Sequence, residues 1–235
     1  LKFICLKVYQ FIDYIKKKNK LTHNTQHTTH NTQHTTHNTQ HTTHNTQSNQ
    51  KNVSLKRTQP TNMIYIAILR GINVSGSKKL PMAELRTLLS TLGFADVQTY
   101  IQSGNVVFKA AKQNQEKLGS QIAEAIKKKY DYEVPVLVKT IDQWKTAIAN
   151  NPFAEADISK QGITFLARIP EETTIEIDSK GDRFKIINSE IYLDCPTGFG
   201  RTKLTNNFFE RKLKTRATTR NWKTIYKLLD LAEAL

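Results

Sequence analysis

Ile64-Tyr65-Ile66-Ala67-Ile68-Leu69, directly after Met63, is the stretch whose reading decides the fold. An unbroken apolar run of this length suits a strand covered on both faces or held centrally in a sheet. A Gly- and Ser-rich loop from Gly71 to Lys79 follows, then Pro81 at a helix start, with Met82, Leu85, Leu88, Leu89 and Leu92 at helical spacing. Gly93 stops that helix. Val97 to Ile101 and Asn105 to Phe108 read as two strands joined by a turn at Gln102-Ser103-Gly104. Leu118, Ile122 and Ile126 mark a second helix, and Val134-Pro135-Val136-Leu137-Val138 a fourth strand. The order is βαββαβ, that of the ferredoxin-like plait.

In that plait the first and third strands are central and the fourth lies at an edge, where proline is tolerated. Pro135 in the fourth strand fits. A helix around Ile141, Trp144 and Ile148 leads to a second unit. There Ile163 to Arg168 reads as a strand, and Phe184 to Ile187 with Ile191 to Leu193 as a hairpin turning at Asn188-Ser189-Glu190. Helices are expected at about Lys203 to Leu213 and Trp222 to Ala234, with the residues between them a loop. The second half reads as a degenerate copy of the first, with a shortened connection at 170–182. The expected class is therefore α+β, two tandem ferredoxin-like plaits, the second degenerate: residues 63–150 form the first subdomain and 151–235 the second, with basic C-terminal helices.

Upstream of Met63 the character changes. The heptapeptide His-Asn-Thr-Gln-His-Thr-Thr runs from His23, His30 and His37 and restarts at His44. Identical polar repeats cannot bury apolar surface, so residues 1–62 are read as a disordered low-complexity or spurious extension. The apolar opening Leu1 to Ile12 is broken by Lys7 and Gln10 and lacks a small-residue cleavage site, which argues against a signal peptide. No stretch of about 18 apolar residues exists, and no membrane partner is expected.

All seven histidines lie between His23 and His44, so residues 63–235 hold none. Ser-His-Asp, Cys-His and His-ligated zinc chemistries are thereby excluded from the globular part, where no metal and no cofactor are expected. Cys5 and Cys195 are the only cysteines, one in each part, which suggests a reducing, cytoplasmic setting. Cys195, before Pro196, reads as a small apolar residue.

Several phrases point to a known family. Met63 to Arg70 with Gly71-Ile72-Asn73-Val74, Leu80-Pro81-Met82-Ala83-Glu84-Leu85, Tyr100 to Phe108, Gly200-Arg201-Thr202-Lys203-Leu204-Thr205 and Ala217-Thr218-Thr219-Arg220-Asn221-Trp222 together resemble the bacterial family called domain of unknown function 1697. The resemblance implies a duplicated ferredoxin-like architecture and no particular activity.

Charge location narrows the candidates. The protein carries a formal net charge of +15. Residues 201–227 hold nine Lys and Arg against Glu210 alone, whereas 63–200 hold seventeen basic and sixteen acidic residues. The last two helices and their loop are expected to create a local positive field. Gly200, Arg201 and Lys203 run into a helix start, where free N–H groups and the dipole suit an anion. Thr218-Thr219-Arg220-Asn221 is a second such start, with Asn221 or Thr219 read chiefly as caps. The long loop after the first strand adds Arg70, Gly71, Asn73 and Lys78, and the hairpin turn adds Ser103 and Asn105. No catalytic residue is assigned.

Three functions are compatible with these residues. The leading one is a basic anion-binding module, with nucleic acid as a candidate partner, held through phosphates without base-specific contacts. Another is an enzyme acting on a phosphorylated or acidic small molecule, with Arg70, Arg201 and Arg220 as clamps and Lys or Asp moving the proton. The third is a protein-interaction or ligand-sensing module. Whether the three arginines meet in space discriminates among them. The oligomeric state is not legible in the sequence.

Overall fold

The first long apolar run is β1, Asn62–Leu69, and both its faces are covered. The computed structural model describes residues 62–74 and 76–235. The reading of residues 1–62 as an extension thus lies outside the described residues, except for Asn62, which opens β1 opposite Ala111. After β1 come α1 (Met82–Thr91), β2 (Ala95–Tyr100), β3 (Asn105–Ala111), α2 (Gln115–Tyr130), β4 (Val136–Thr140) and α3 (Ile141–Ala149). Then follow β5 (Gln161–Leu166), β6 (Arg183–Ile187), β7 (Glu190–Asp194), α4 (Asn206–Leu213), β8 (Ala217–Asn221) and α5 (Trp222–Glu233).

The strands form two four-stranded antiparallel sheets, ordered β2-β3-β1-β4 and β6-β7-β5-β8. The molecule is α+β. Alternation along β1 sends Tyr65, Ala67 and Leu69 into a cluster with Leu85 and Leu89 of α1 and Leu118, Ile122 and Ile126 of α2. Ile66 and Ile68, pointing the other way, are equally buried. On that inner side Trp144 of α3 stacks on Phe165 of β5 at 4.6 Å and donates through its indole N–H to the Ile225 carbonyl of α5 at 3.0 Å. Tyr192 of β7 donates to the Ala147 carbonyl at 2.9 Å.

The caps explain where the helices begin. Asn114 accepts from the Lys117 N–H, and Asp131 ends α2 in the left-handed region. Thr140 and Gln143 form a capping box at α3. On the outer face of the second sheet, Leu166, Leu193, Phe209 and Leu213 make a separate cluster. Ile175 and Ile177 of the helix-free connection between β5 and β6 pack on it.

Three expectations need correction. The fourth strand starts at Val136, and Pro135 stands just before it; without an N–H it cannot join the ladder, though its carbonyl accepts from Arg70 N–H at 3.0 Å. The helix expected from Lys203 begins only at Asn206, because Thr205 is its cap. The supposed loop between the last helices is β8, which completes the second sheet beside β5. No helix among the described residues is long and apolar enough to cross a membrane.

Candidate anion-binding junction

The site is assembled where β1 ends, the hairpin turn between β2 and β3 doubles back, and β8 crosses from the other sheet. Gly104 makes the turn tight. At φ 75° it brings its carbonyl within 2.7 Å of the Leu69 N–H, and a Cβ there would lie 2.6 Å from Leu69 Cβ. Asn105, fully buried, donates to the Tyr100 carbonyl and to Ser103 Oγ, both at 3.0 Å. Its Oδ1 is left free to accept.

The acceptor is used by Arg220. From β8 this arginine donates through Nε to Asn105 Oδ1, through Nη1 to the Thr219 carbonyl at 2.8 Å, and through Nη2 to the carbonyls of Leu69 at 2.7 Å and Ser103 at 3.1 Å. A guanidinium has five N–H donors, so one hydrogen on Nη1 has no acceptor in this arrangement. Every partner is neutral, and no carboxylate among the described residues neutralises the charge. Burial pushes the guanidinium down to about 10, far enough above neutrality for it to stay charged.

Neighbouring candidates hold the frame. Arg70, next to Leu69, is bound by Asn207 and Glu210 of α4, so its charge is compensated. Asn73, at φ 54°, accepts from the Leu80 N–H and donates to the carbonyls of Leu80 and Gln102, lacing the 71–80 loop to the hairpin turn. Gly71 supplies a positive φ of 71° at the start of that loop. Lys78 donates to the Glu133 carbonyl at 2.6 Å. On the far side of the turn, a shallow depression of about 650 Å³ is bordered by Asn73, Lys79, Arg86 and Gln102. Lys79 and Arg86 were not singled out from the sequence; their nearness to the helix start at Pro81 was the available signal.

Other candidates sit apart. Gly200, Arg201 and Lys203 belong to turns before α4, where the N–H groups of Arg201 and Thr202 are already bonded to the Gly198 carbonyl. They are not free donors of a helix start. Lys203 pairs with Asp178 at 3.3 Å. Asn221 caps α5 by accepting from Thr224 N–H at 3.0 Å. The structure thus brings Arg70, Asn73, Ser103, Asn105 and Arg220 to one junction and leaves Arg201 outside its hydrogen bonds.

The basic run is also divided. Glu210 takes Arg70, Lys212 borders small depressions with Glu172, and Arg216 lines a groove of about 650 Å³ between α2 and β4 together with Glu133. β1 and β3 are buried on both faces, so the first sheet offers no open surface for bases.

A family model described as Protein of unknown function (DUF1697) matches residues 63–192. The chain belongs to the DUF1697 family. Within the match lie Arg70, Asn73, Ser103 and Asn105, while Arg220 comes from the segment beyond it. This DUF1697 chain is similar in structure to the conserved bacterial protein SP0830 from Streptococcus pneumoniae, with a TM-score of 0.55 at 21% identity, over 73% of this chain and 99% of that chain. At that identity the likeness shows the fold alone. No match was found among curated proteins.

Proposed function

We propose that this DUF1697 chain is an anion-binding module that takes a small anion at the Arg220 junction. The observation that carries the reading is a largely buried guanidinium whose four bonds all go to neutral oxygens. Burying a charge without a counter-charge is costly, and an anion at the remaining Nη1 hydrogen would offset that cost. Only the guanidinium here can donate to an anion; the amide and peptide oxygens around it accept from Arg220 and hold it in place, and the reading is of binding. A small ligand is favoured over nucleic acid because Glu172 and Glu133 border the same depressions as Lys212 and Arg216 and break up the positive surface. We read the protein as cytoplasmic because its sequence holds only two cysteines, one in each part, too few for a disulfide framework.

For the scaffold we read each sheet as one ferredoxin-like plait, the second having lost its first helix. Support comes from the matching strand orders and from the extended 167–182 connection standing where a helix would be.

Isothermal titration calorimetry at low ionic strength, with a panel of phosphorylated and carboxylated metabolites, tests the function. Since phosphate and sulfate stabilise proteins non-specifically, the comparison is with Arg220→Lys at matched ionic strength. Saturable binding to the natural sequence, weakened at least tenfold in Arg220→Lys, is expected. Equal binding by the two proteins, or none by either, rejects the reading.

A further inference from the structure

The segment that delivers Arg220 carries other donors with nothing to donate to. Thr218 Oγ1 and Trp222 Nε1 are buried without a hydrogen-bond partner, and their residues are 1% and 2% exposed. Thr218 and Arg220 stand two residues apart on β8, opposite Phe165 and Ile163 of β5, so both project to the inner face of the second sheet. Trp222 follows immediately as the first residue of α5. Buried polar groups in folded proteins are almost always satisfied, so unpartnered ones within five residues of an unneutralised arginine call for an explanation.

The imbalance has a sign. The indole N–H and the remaining Nη1 hydrogen of Arg220 can only donate, and the hydroxyl can donate; none of the three has a hydrogen-bond partner. A water molecule would bring two further protons to a place short of acceptors. An anion brings lone pairs and no protons. Charge then selects among anions: one uncompensated positive charge is neutralised by a monoanion, whereas a phosphate dianion would leave an excess negative charge in a dry setting.

Resting on the anion site at Arg220, we infer that its ligand is a small monocarboxylate, which accepts from the Arg220 Nη1 hydrogen and the Thr218 hydroxyl, with Trp222 Nε1 as a further donor. Entry is from the side of Ser103, which is exposed and whose bond to Arg220 faces solvent.

The test compares acetate and propionate with phosphate at pH 8, by calorimetry and by carboxyl carbon chemical shift, with chloride balancing ionic strength. The variants are Thr218→Val, which keeps the shape and removes the hydroxyl, Thr218→Ser, which restores it, and Arg220→Lys. Acetate should bind at least tenfold more tightly than phosphate. Thr218→Val should weaken acetate five- to tenfold while its ligand-free Tm stays level or rises, because the lost hydroxyl had no partner. Thr218→Ser should recover the affinity. If phosphate binds as well as acetate, or if Thr218→Val binds acetate unchanged, the monocarboxylate inference is overturned, and a loss in Arg220→Lys would still uphold the anion site. If Arg220→Lys also changes nothing, both readings fall.

Discussion

Arg220 and Asn105 are 115 positions apart in the chain, yet the Nε of one donates to the Oδ1 of the other across the gap between the two sheets. The bond joins β8 to the first residue of β3, and Asn105 is fully buried. Its own amide hydrogens go to Tyr100 and Ser103, so one side chain shapes the hairpin turn and seats the arginine.

Replacing Asn105 tests both roles. Asn105→Asp places a carboxylate beside the guanidinium and supplies the missing counter-charge, so anion binding should drop more than tenfold in calorimetry. Asn105→Ala leaves the buried Arg220 Nε without its acceptor and removes the side-chain bonds to Tyr100 and Ser103, and should cost about 2–3 kcal/mol in urea unfolding. A binding constant unchanged in Asn105→Asp would show that Arg220 does not take the anion.

Two glycines should respond to alanine against the usual rules. In an exposed helix Gly→Ala gains about 1 kcal/mol. At Gly119 of α2 the new Cβ would lie 2.8 Å from the Val136 carbonyl of β4, so Gly119→Ala should lower stability instead. Gly104→Ala adds a contact of 2.6 Å to a positive φ and should cost about 3 kcal/mol, whereas Gly76→Ala, at φ 78° in open space, should cost about 1 kcal/mol. Denaturant midpoints of the three variants check the order.

The second polar link between the sheets is Lys139 on β4, bonded to Glu190 at 2.9 Å and to Ser189 at 2.8 Å, with each charged side chain 13% exposed. Removing one partner of such a buried pair typically costs about 3 kcal/mol, while an apolar replacement of both is near neutral. Lys139→Met should therefore destabilise clearly, and Lys139→Met with Glu190→Leu should recover most of the loss. A double-mutant cycle with no coupling would show that the link contributes nothing.

Cys195 provides a readout of the second sheet. Burial pushes its thiol up to about 11 from an ordinary 9, so the folded protein keeps the neutral form over that range. A folded-state value above the unfolded one means stability is fully present below pH 9 and drains as pH rises toward 11. In a Cys5→Ser background, alkylation at pH 8 should be at least a hundredfold slower in the native protein than in urea. Rapid native labelling would place Cys195 in an open segment.

Most of the fold was legible because apolar periodicity is a local property. Ile64 to Leu69 announced a strand buried on both faces, and Leu118, Ile122 and Ile126 a helix, and both stand where expected. β8 was missed for the opposite reason. Ala217-Thr218-Thr219-Arg220-Asn221 has no apolar alternation, and it becomes a strand only because β5 offers its edge.

The candidate residues divide along the same line. Polar spelling in loops marked Arg70, Asn73, Ser103, Asn105 and Arg220, which the fold does bring together. What each contributes depends mostly on partners far away in the chain: Glu210 of α4 neutralises Arg70, and Arg220 is held by neutral oxygens, those of Leu69, Ser103 and Asn105 from the first sheet and its hairpin turn and that of Thr219 from its own strand. The sequence by itself determined an α+β fold, its strand-rich order and the residue types from which an anion site can be made. Tertiary structure alone decided which arginine keeps an uncompensated charge, because a side chain's electrostatic state is set by the groups packed around it and by the water they exclude, and neither is written in local spacing.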